Sequence, residues 1–229
     1  MVSWIIGSRR YLFHLLLGIF LLQFLGVELN LADNNLVGTF PRELSFLPYL
    51  TELDIARNKG LNGTILEFES SKRFFRVLHE LRLGSTSISG TIPANLSFLT
   101  LLHRLELADN KLTGTIPTSL GVMSDLNYLL LNYNELSGAI PSELGRLLSL
   151  EILDLSTNAL TGTIPVEFVS LVTMELLGLR NNVGVSGTIP SILGNLPQLG
   201  TTLLLSNTTL SGSVPERFGT KPFGPEAMM

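Results

Sequence analysis

A four-residue signature constrains this chain more than any other feature. A glycine is followed by a small residue, an apolar residue and usually proline, starting at Gly38, Gly63, Gly90, Gly114, Gly138, Gly162, Gly187 and Gly212. The successive spacings are 25, 27, 24, 24, 24, 25 and 25 residues. Upstream of each lies L-x-L-x-x-N or a close variant, as in Leu105-Glu106-Leu107-Ala108-Asp109-Asn110 and Leu153-Asp154-Leu155-Ser156-Thr157-Asn158. A unit this short cannot bury its own apolar side. The units must therefore stack and share one continuous core.

In L-x-L both leucines point one way and the intervening residue points the other. One short strand per unit, stacked unit on unit, predicts a parallel sheet with leucine inside. The asparagine after the strand is expected inside as well, bonding backbone groups that have no ladder partner. These turn residues are Asn34, Asn58, Asn110, Asn134, Asn158 and Asn182, with Asn207 in the eighth unit and Thr86 as a replacement in the third. The tetrad glycine permits a tight bend, and the proline ends pairing beyond it. SELGRLLSL, Ser142 to Leu150, reads as a short helix on the return side.

From Val27 to Phe218 these residues resemble the plant-type leucine-rich repeat, LxxLxLxxNxLsGxIPxxLxxLxx. The G-x-I-P element separates that subtype from other leucine-rich repeats. The resemblance implies an α/β solenoid, a right-handed superhelix of about eight repeats with a parallel sheet on its concave side. It implies a second short strand at each L-x-G-x-I-P segment. It also implies three functional settings: receptor-like kinases, receptor-like proteins and secreted wall-protein inhibitors. The Gly-rich loop, H-R-D and D-F-G signatures of a kinase are missing from this sequence. The chain departs from the family pattern in three places. The paired cap cysteines are absent, the second unit (Asn62 to Leu81) is long and lacks proline, and the last tetrad is followed only by a short polar stretch. A truncated fragment of a longer receptor kinase is therefore an alternative.

The expected division is an N-terminal segment 1–26, a repeat domain 27–218 and a short tail 219–229. Arg9 and Arg10 precede an apolar run from Tyr11 to Gly26. That pattern fits a cleaved signal peptide, an uncleaved membrane anchor or an apolar cap on the first coil. The first two place the repeats outside the cytoplasm, secreted or anchored. Sequons occur at Asn62, Asn95 and Asn207. Asn62 and Asn95 are the glycosylation candidates, because Asn207 is assigned to a buried turn.

Composition excludes several function classes. Net charge is -4 with no basic patch, so a nucleic-acid partner is not expected. The absence of cysteine removes disulfides, thiolate zinc sites and thiol nucleophiles. No nucleophile–histidine motif is present, and neither cofactor, metal nor enzymatic activity is expected.

Function is expected on the outward residues of the strand face. The central column reads Asn30, Asp54, Arg82, Glu106, Leu130, Asp154, Gly178, and the column before it Glu28, Glu52, Glu80, Arg104, Tyr128, Ile152, Leu176. The eighth unit is ambiguous by one residue around Thr202 to Leu205. Asp54, Arg82 and Glu106 alternate in sign, as do Glu80 and Arg104. These are either cross-strand pairs, contributing ~0.2–1 kcal/mol each, or a polar docking patch. Imagined as a glycosidase pair, Asp54 and Glu106 are spoiled by Arg82, which would depress their pKa values. His79 and His103 share a column, as two solvated imidazoles, a pH-sensitive pair or an incomplete metal site. Tyr128, Leu130, Tyr133 and Ile152 cluster as interface anchors. The ligand-binding residues expected are Arg82, Arg104, Glu106, Tyr128, Leu130, Tyr133 and Asp154. The function they suggest is a non-catalytic, receptor-like scaffold for a protein, peptide or glycan. The other class considered is an inhibitor or regulatory subunit of a secreted hydrolase.

Overall fold

The computed structural model describes residues 27–40, 44, 49–65, 77–199, 202–216 and 218. The apolar run 11–26, the tail 219–229 and residues 66–76 of the long second unit lie outside the described residues. Each coil contributes one strand to each of two parallel eight-stranded sheets. The concave sheet runs β1 (Val27–Asn30), β3 (Leu50–Asp54), β5 (Glu80–Arg82), β7 (Arg104–Glu106), β9 (Tyr128–Leu130), β11 (Ile152–Asp154), β13 (Leu176–Gly178), β15 (Thr202–Leu204). The second sheet runs β2 (Val37–Thr39), β4 (Gly60–Thr64), β6 (Ser87–Thr91), β8 (Lys111–Gly114), β10 (Glu135–Ala139), β12 (Ala159–Gly162), β14 (Asn182–Thr188), β16 (Thr208–Ser211). The architecture is the α/β leucine-rich-repeat solenoid that the repeat implied.

The alternation places leucine inside. Leu81, Leu105, Leu129, Leu153 and Leu177 form one buried row, and Leu83, Leu107, Leu131, Leu155 and Leu179 form the next. The tetrad isoleucines Ile92, Ile116, Ile140 and Ile164 close the core from the second sheet. All eight tetrad glycines take positive φ, from 76° to 104°, a conformation that side-chain-bearing residues avoid.

The return side is helical but not α-helical. Ser142–Arg146 is a 3-10 helix that follows extended Pro141, and Leu147 N–H closes it on the Leu144 carbonyl. Leu144, Leu147 and Leu150 are all fully buried. Their three-residue spacing suits a threefold turn, not a 3.6-residue one. The same element recurs at Ala94–Phe98, Thr118–Val122, Val166–Ser170 and Ser191–Asn195.

The turn asparagines tie consecutive coils together. Asn134 Nδ2 donates to Leu107 O (2.9 Å) in the preceding coil and to Leu131 O (3.1 Å) in its own, while Oδ1 accepts from Leu112 N (3.0 Å). Asn58, Asn110, Asn158 and Asn182 repeat this pattern. In the first coil the Asn34 side chain donates to Ala32 O (2.9 Å), and its backbone N–H donates to Asn58 Oδ1 (3.0 Å). Asn207 is not the eighth member. Thr208 occupies that position and donates to Leu205 O (2.9 Å), as Thr86 does to Leu83 O (3.2 Å). Asn207 stands one residue earlier, exposed, with φ 55°. The assignment failed because L-L-L-S-N-T-T places a leucine at each of three consecutive positions. Two registers then fit the pattern equally.

Candidate binding face

Strand pairing fixes the concave columns. Asn30, Asp54, Arg82, Glu106, Leu130, Asp154 and Gly178 are successive partners, and Leu204 follows Gly178. Glu28, Glu52, Glu80, Arg104, Tyr128, Ile152, Leu176 and Thr202 make the parallel row. The eighth-unit register is thereby settled.

The row changes character halfway. In β3 to β7 the charges compensate one another. Arg82 reaches Asp54 (3.5 Å) and contacts Glu80 directly. Arg104 lies between Glu80 (3.8 Å) and Glu106 (4.0 Å), with its guanidinium 4.0 Å above the Tyr128 ring. These pairs are partly buried, so screening is weaker than at an open surface. Glu28 and Glu52 face each other at the acidic end. Partial burial, then the Glu80 and Glu28 carboxylates, push the Glu52 carboxyl above its usual range. From β9 onward the two central rows hold Tyr128, Leu130, Ile152, Leu176 and Leu204, all half-buried, and Asp154 is their only charge.

Sequence reasoning placed Tyr128 and Tyr133 in one cluster, but the structure gives them different duties. The Tyr128 hydroxyl donates to Glu151 (2.9 Å), and that bond raises its pKa. Asn127 also donates to Glu151 (3.0 Å). Tyr128 is thus locked in place beside Leu130. Tyr133 lies beyond the strand, exposed, at a left-handed φ of 55°, and its hydroxyl accepts from Arg180 at 3.5 Å. Arg180 and Ser156, beside Gly178, were not singled out from the sequence. His79 and His103 stack at 5.2 Å, and no group of three metal-ligating side chains occurs among the described residues. Asn62 is exposed and Asn95 partly so. No helix among the described residues is long and apolar enough to cross a membrane.

Two parallel sheets built from stacked coils, with a concave face of variable side chains on a repeating frame, define a repeat solenoid. The chain belongs to the leucine-rich-repeat family. The family profile Leucine Rich Repeat matches residues 27–47, 101–123, 125–147 and 149–171. The ectodomain of the Arabidopsis thaliana membrane receptor kinase GASSHO1/SCHENGEN3, solved with CASPARIAN STRIP INTEGRITY FACTOR 2, matches with TM-score 0.78 and 37% identity. That match covers 84% of this chain and 23% of that one. The Arabidopsis receptor kinase HAESA, solved with the peptide hormone IDA and the co-receptor SERK1, matches with TM-score 0.79 and 33% identity over 86% and 32% of the two chains. A plant ice-binding protein matches with TM-score 0.62 and 30% identity over 82% and 74%. The chain spans 23% and 32% of the length of the two receptor ectodomains. No curated protein matches its sequence.

Proposed function

We propose that the concave sheet is a non-catalytic, receptor-like surface that binds a protein or peptide outside the cytoplasm. The observation that carries this reading is the half-buried apolar run Tyr128, Leu130, Ile152, Leu176 and Leu204 beside a self-compensated charged half. A recognition surface needs anchors of this kind surrounded by groups that exclude water. Arg82, Arg104 and Glu106 line the charged side, and Tyr133 and Asp154 flank the apolar run. The HAESA complex with a peptide hormone supports the peptide class. A library of secreted peptides displayed on phage, panned on the full chain, tests it. Leu130→Ala combined with Ile152→Ala is expected to weaken captured peptides at least tenfold, with Tm changed by only a few degrees, because neither side chain is fully buried. Undiminished binding by the double variant rejects this face.

The second sheet supports another reading. Thr64, Thr91, Thr115, Thr163 and Thr188 each aim Cγ2 at the tetrad glycine of the next coil, 2.9–3.2 Å from where a Cβ would sit. An exposed threonine therefore recurs in one orientation along these coils, which lie roughly 4.8 Å apart, with Ala139 interrupting the row between Thr115 and Thr163. This lattice, with the likeness to a plant ice-binding protein, supports contact with an ice surface. Arrest of ice recrystallisation, abolished by Thr91→Glu with Thr115→Glu, tests it. An inert wild-type chain rejects it.

A further inference from the structure

We infer that the sixth and seventh units carry a subsite for an uncharged amide, formed by Asp154, Ser156 and Arg180 over the bare backbone of Gly178. The inference rests on the peptide reading above and specifies what such a peptide must present.

Three polar groups here lack the compensation found elsewhere on the face. Ser156 is completely buried, and its Oγ has no hydrogen-bond partner. Among the described residues Arg180 Nε is buried without a partner as well, and its Nη2 donates to the Tyr133 hydroxyl at 3.5 Å. Asp154 uses Oδ1 to accept from Ser156 N (3.0 Å). Neither Asp154 nor Arg180 enters an ion pair among the described residues, whereas Arg82 and Arg104 each contact two carboxylates.

Gly178 explains the crowding of oxygens. It is the register partner of Asp154. A Cβ on it would lie 2.8 Å from Ser156 Oγ and would collide with Asp154 Oδ1. Both oxygens therefore occupy the place that a side chain would take, with Gly178 buried beneath them. A buried hydroxyl left without a partner is destabilising. An unsatisfied buried group in a native fold calls for an explanation, and a ligand group that completes its bonding supplies one.

The donor and acceptor pattern selects the ligand. Asp154 only accepts, Arg180 only donates, and Ser156 does both. A carboxylate placed here would face Asp154, and an ammonium would face Arg180. A carboxamide satisfies both at once, its oxygen toward Arg180 and its NH2 toward Asp154, with no net charge to bury. Ile152 and Leu176 in the adjoining row give the neighbouring residue an apolar floor. The fitting occupant is an extended peptide with Asn or Gln next to an aliphatic or aromatic residue.

A positional-scanning library of N-acetylated, C-amidated hexapeptides, applied to the full chain, tests the subsite. Enrichment of Asn or Gln beside Leu, Ile or Phe is expected. Ser156→Ala and Gly178→Ala should each lower the affinity of enriched peptides about tenfold. Gly178 has no left-handed φ, so alanine fits the backbone while its methyl displaces the Asp154 carboxylate. Ser156→Ala removes only the orphan hydroxyl. It should melt at the same temperature as wild type or higher, which separates a binding role from a structural one, and it decides the matter alone should Gly178→Ala fail to fold. Selection of Asp, Glu, Lys or Arg at this position, or wild-type affinity in Ser156→Ala, overturns the subsite and leaves the peptide reading standing. Retention of no hexapeptide by the wild-type chain overturns both.

Discussion

Asn134 and Asn207 show how much one residue's register decides. Asn134 is buried and bonds two carbonyls and one amide from two coils. Removing its side chain orphans all three, and a buried group without a partner costs about 1–3 kcal/mol. Asn134→Ala is therefore expected to lose about 3 kcal/mol or more in urea unfolding. Asn207 is exposed, and its side chain donates to the exposed Asn181 Oδ1 (3.1 Å), so Asn207→Ala should stay within about 0.5 kcal/mol. The coil-bridging asparagines Asn58, Asn110, Asn134, Asn158 and Asn182 follow the second strand leucine at one fixed offset, which is what the sequence displays. The residue before each turn position was not legible. Asp33, Arg57, Ser85, Asp109, Tyr133, Thr157, Asn181 and Asn207 all take φ between 54° and 62°. Asp and Asn tolerate that region, but a β-branched residue does not. With arginine, tyrosine and threonine in the column, no residue-type signal marked it. Thr157→Asn is accordingly expected to stabilise by about 1 kcal/mol, read as a higher urea midpoint at unchanged slope.

At the scale of elements, the 3-10 helices stack so closely that two positions admit no side chain. A Cβ on Gly121 would run into the carbonyl oxygen of Glu143 in the next coil, and one on Gly145 would lie 2.7 Å from Glu167 O. Backbone cannot yield as a flexible side chain can. Gly121→Ala is expected to cost about 2 kcal/mol or more, through forced separation of adjacent coils. The sequence displayed L-G at both sites, yet nothing in it distinguished close approach from flexibility. The concave strands hold a pH-dependent element. Burial and the neighbouring Glu80 and Glu28 raise the pKa of Glu52, so the folded chain protonates it at higher pH than the unfolded chain does. Above the folded value the ionised carboxylate opposes folding. Below the unfolded value, near ~4.3, that opposition is gone. Glu52→Gln should therefore be more stable than wild type at pH 7, with the advantage vanishing by about pH 4. A gain independent of pH would refute this origin.

In the whole molecule each strand of the two sheets pairs only with strands of adjacent coils, so stability approximates a sum of unit and interface contributions. Leu129 is fully buried in β9 with partners in β7 and β11. Leu203 in β15 is only part-buried, and the concave sheet places it beside β13 alone. Leu129→Ala is expected to cost about 3–4 kcal/mol, combining lost transfer energy with a cavity that rigid neighbours cannot collapse. That loss severs the array at its middle, so amide exchange should quicken on both sides of the fifth unit. Leu203→Ala should cost about 1 kcal/mol and speed exchange only in β15 and β16, where opening leaves the other interfaces intact. Uniform acceleration by Leu203→Ala would mean that the coils unfold as one cooperative block. In that case the binding face could not loosen at one end while holding its register at the other. Local acceleration would let the half of the face containing Gly178 adjust to a ligand while the ion-paired half stays fixed.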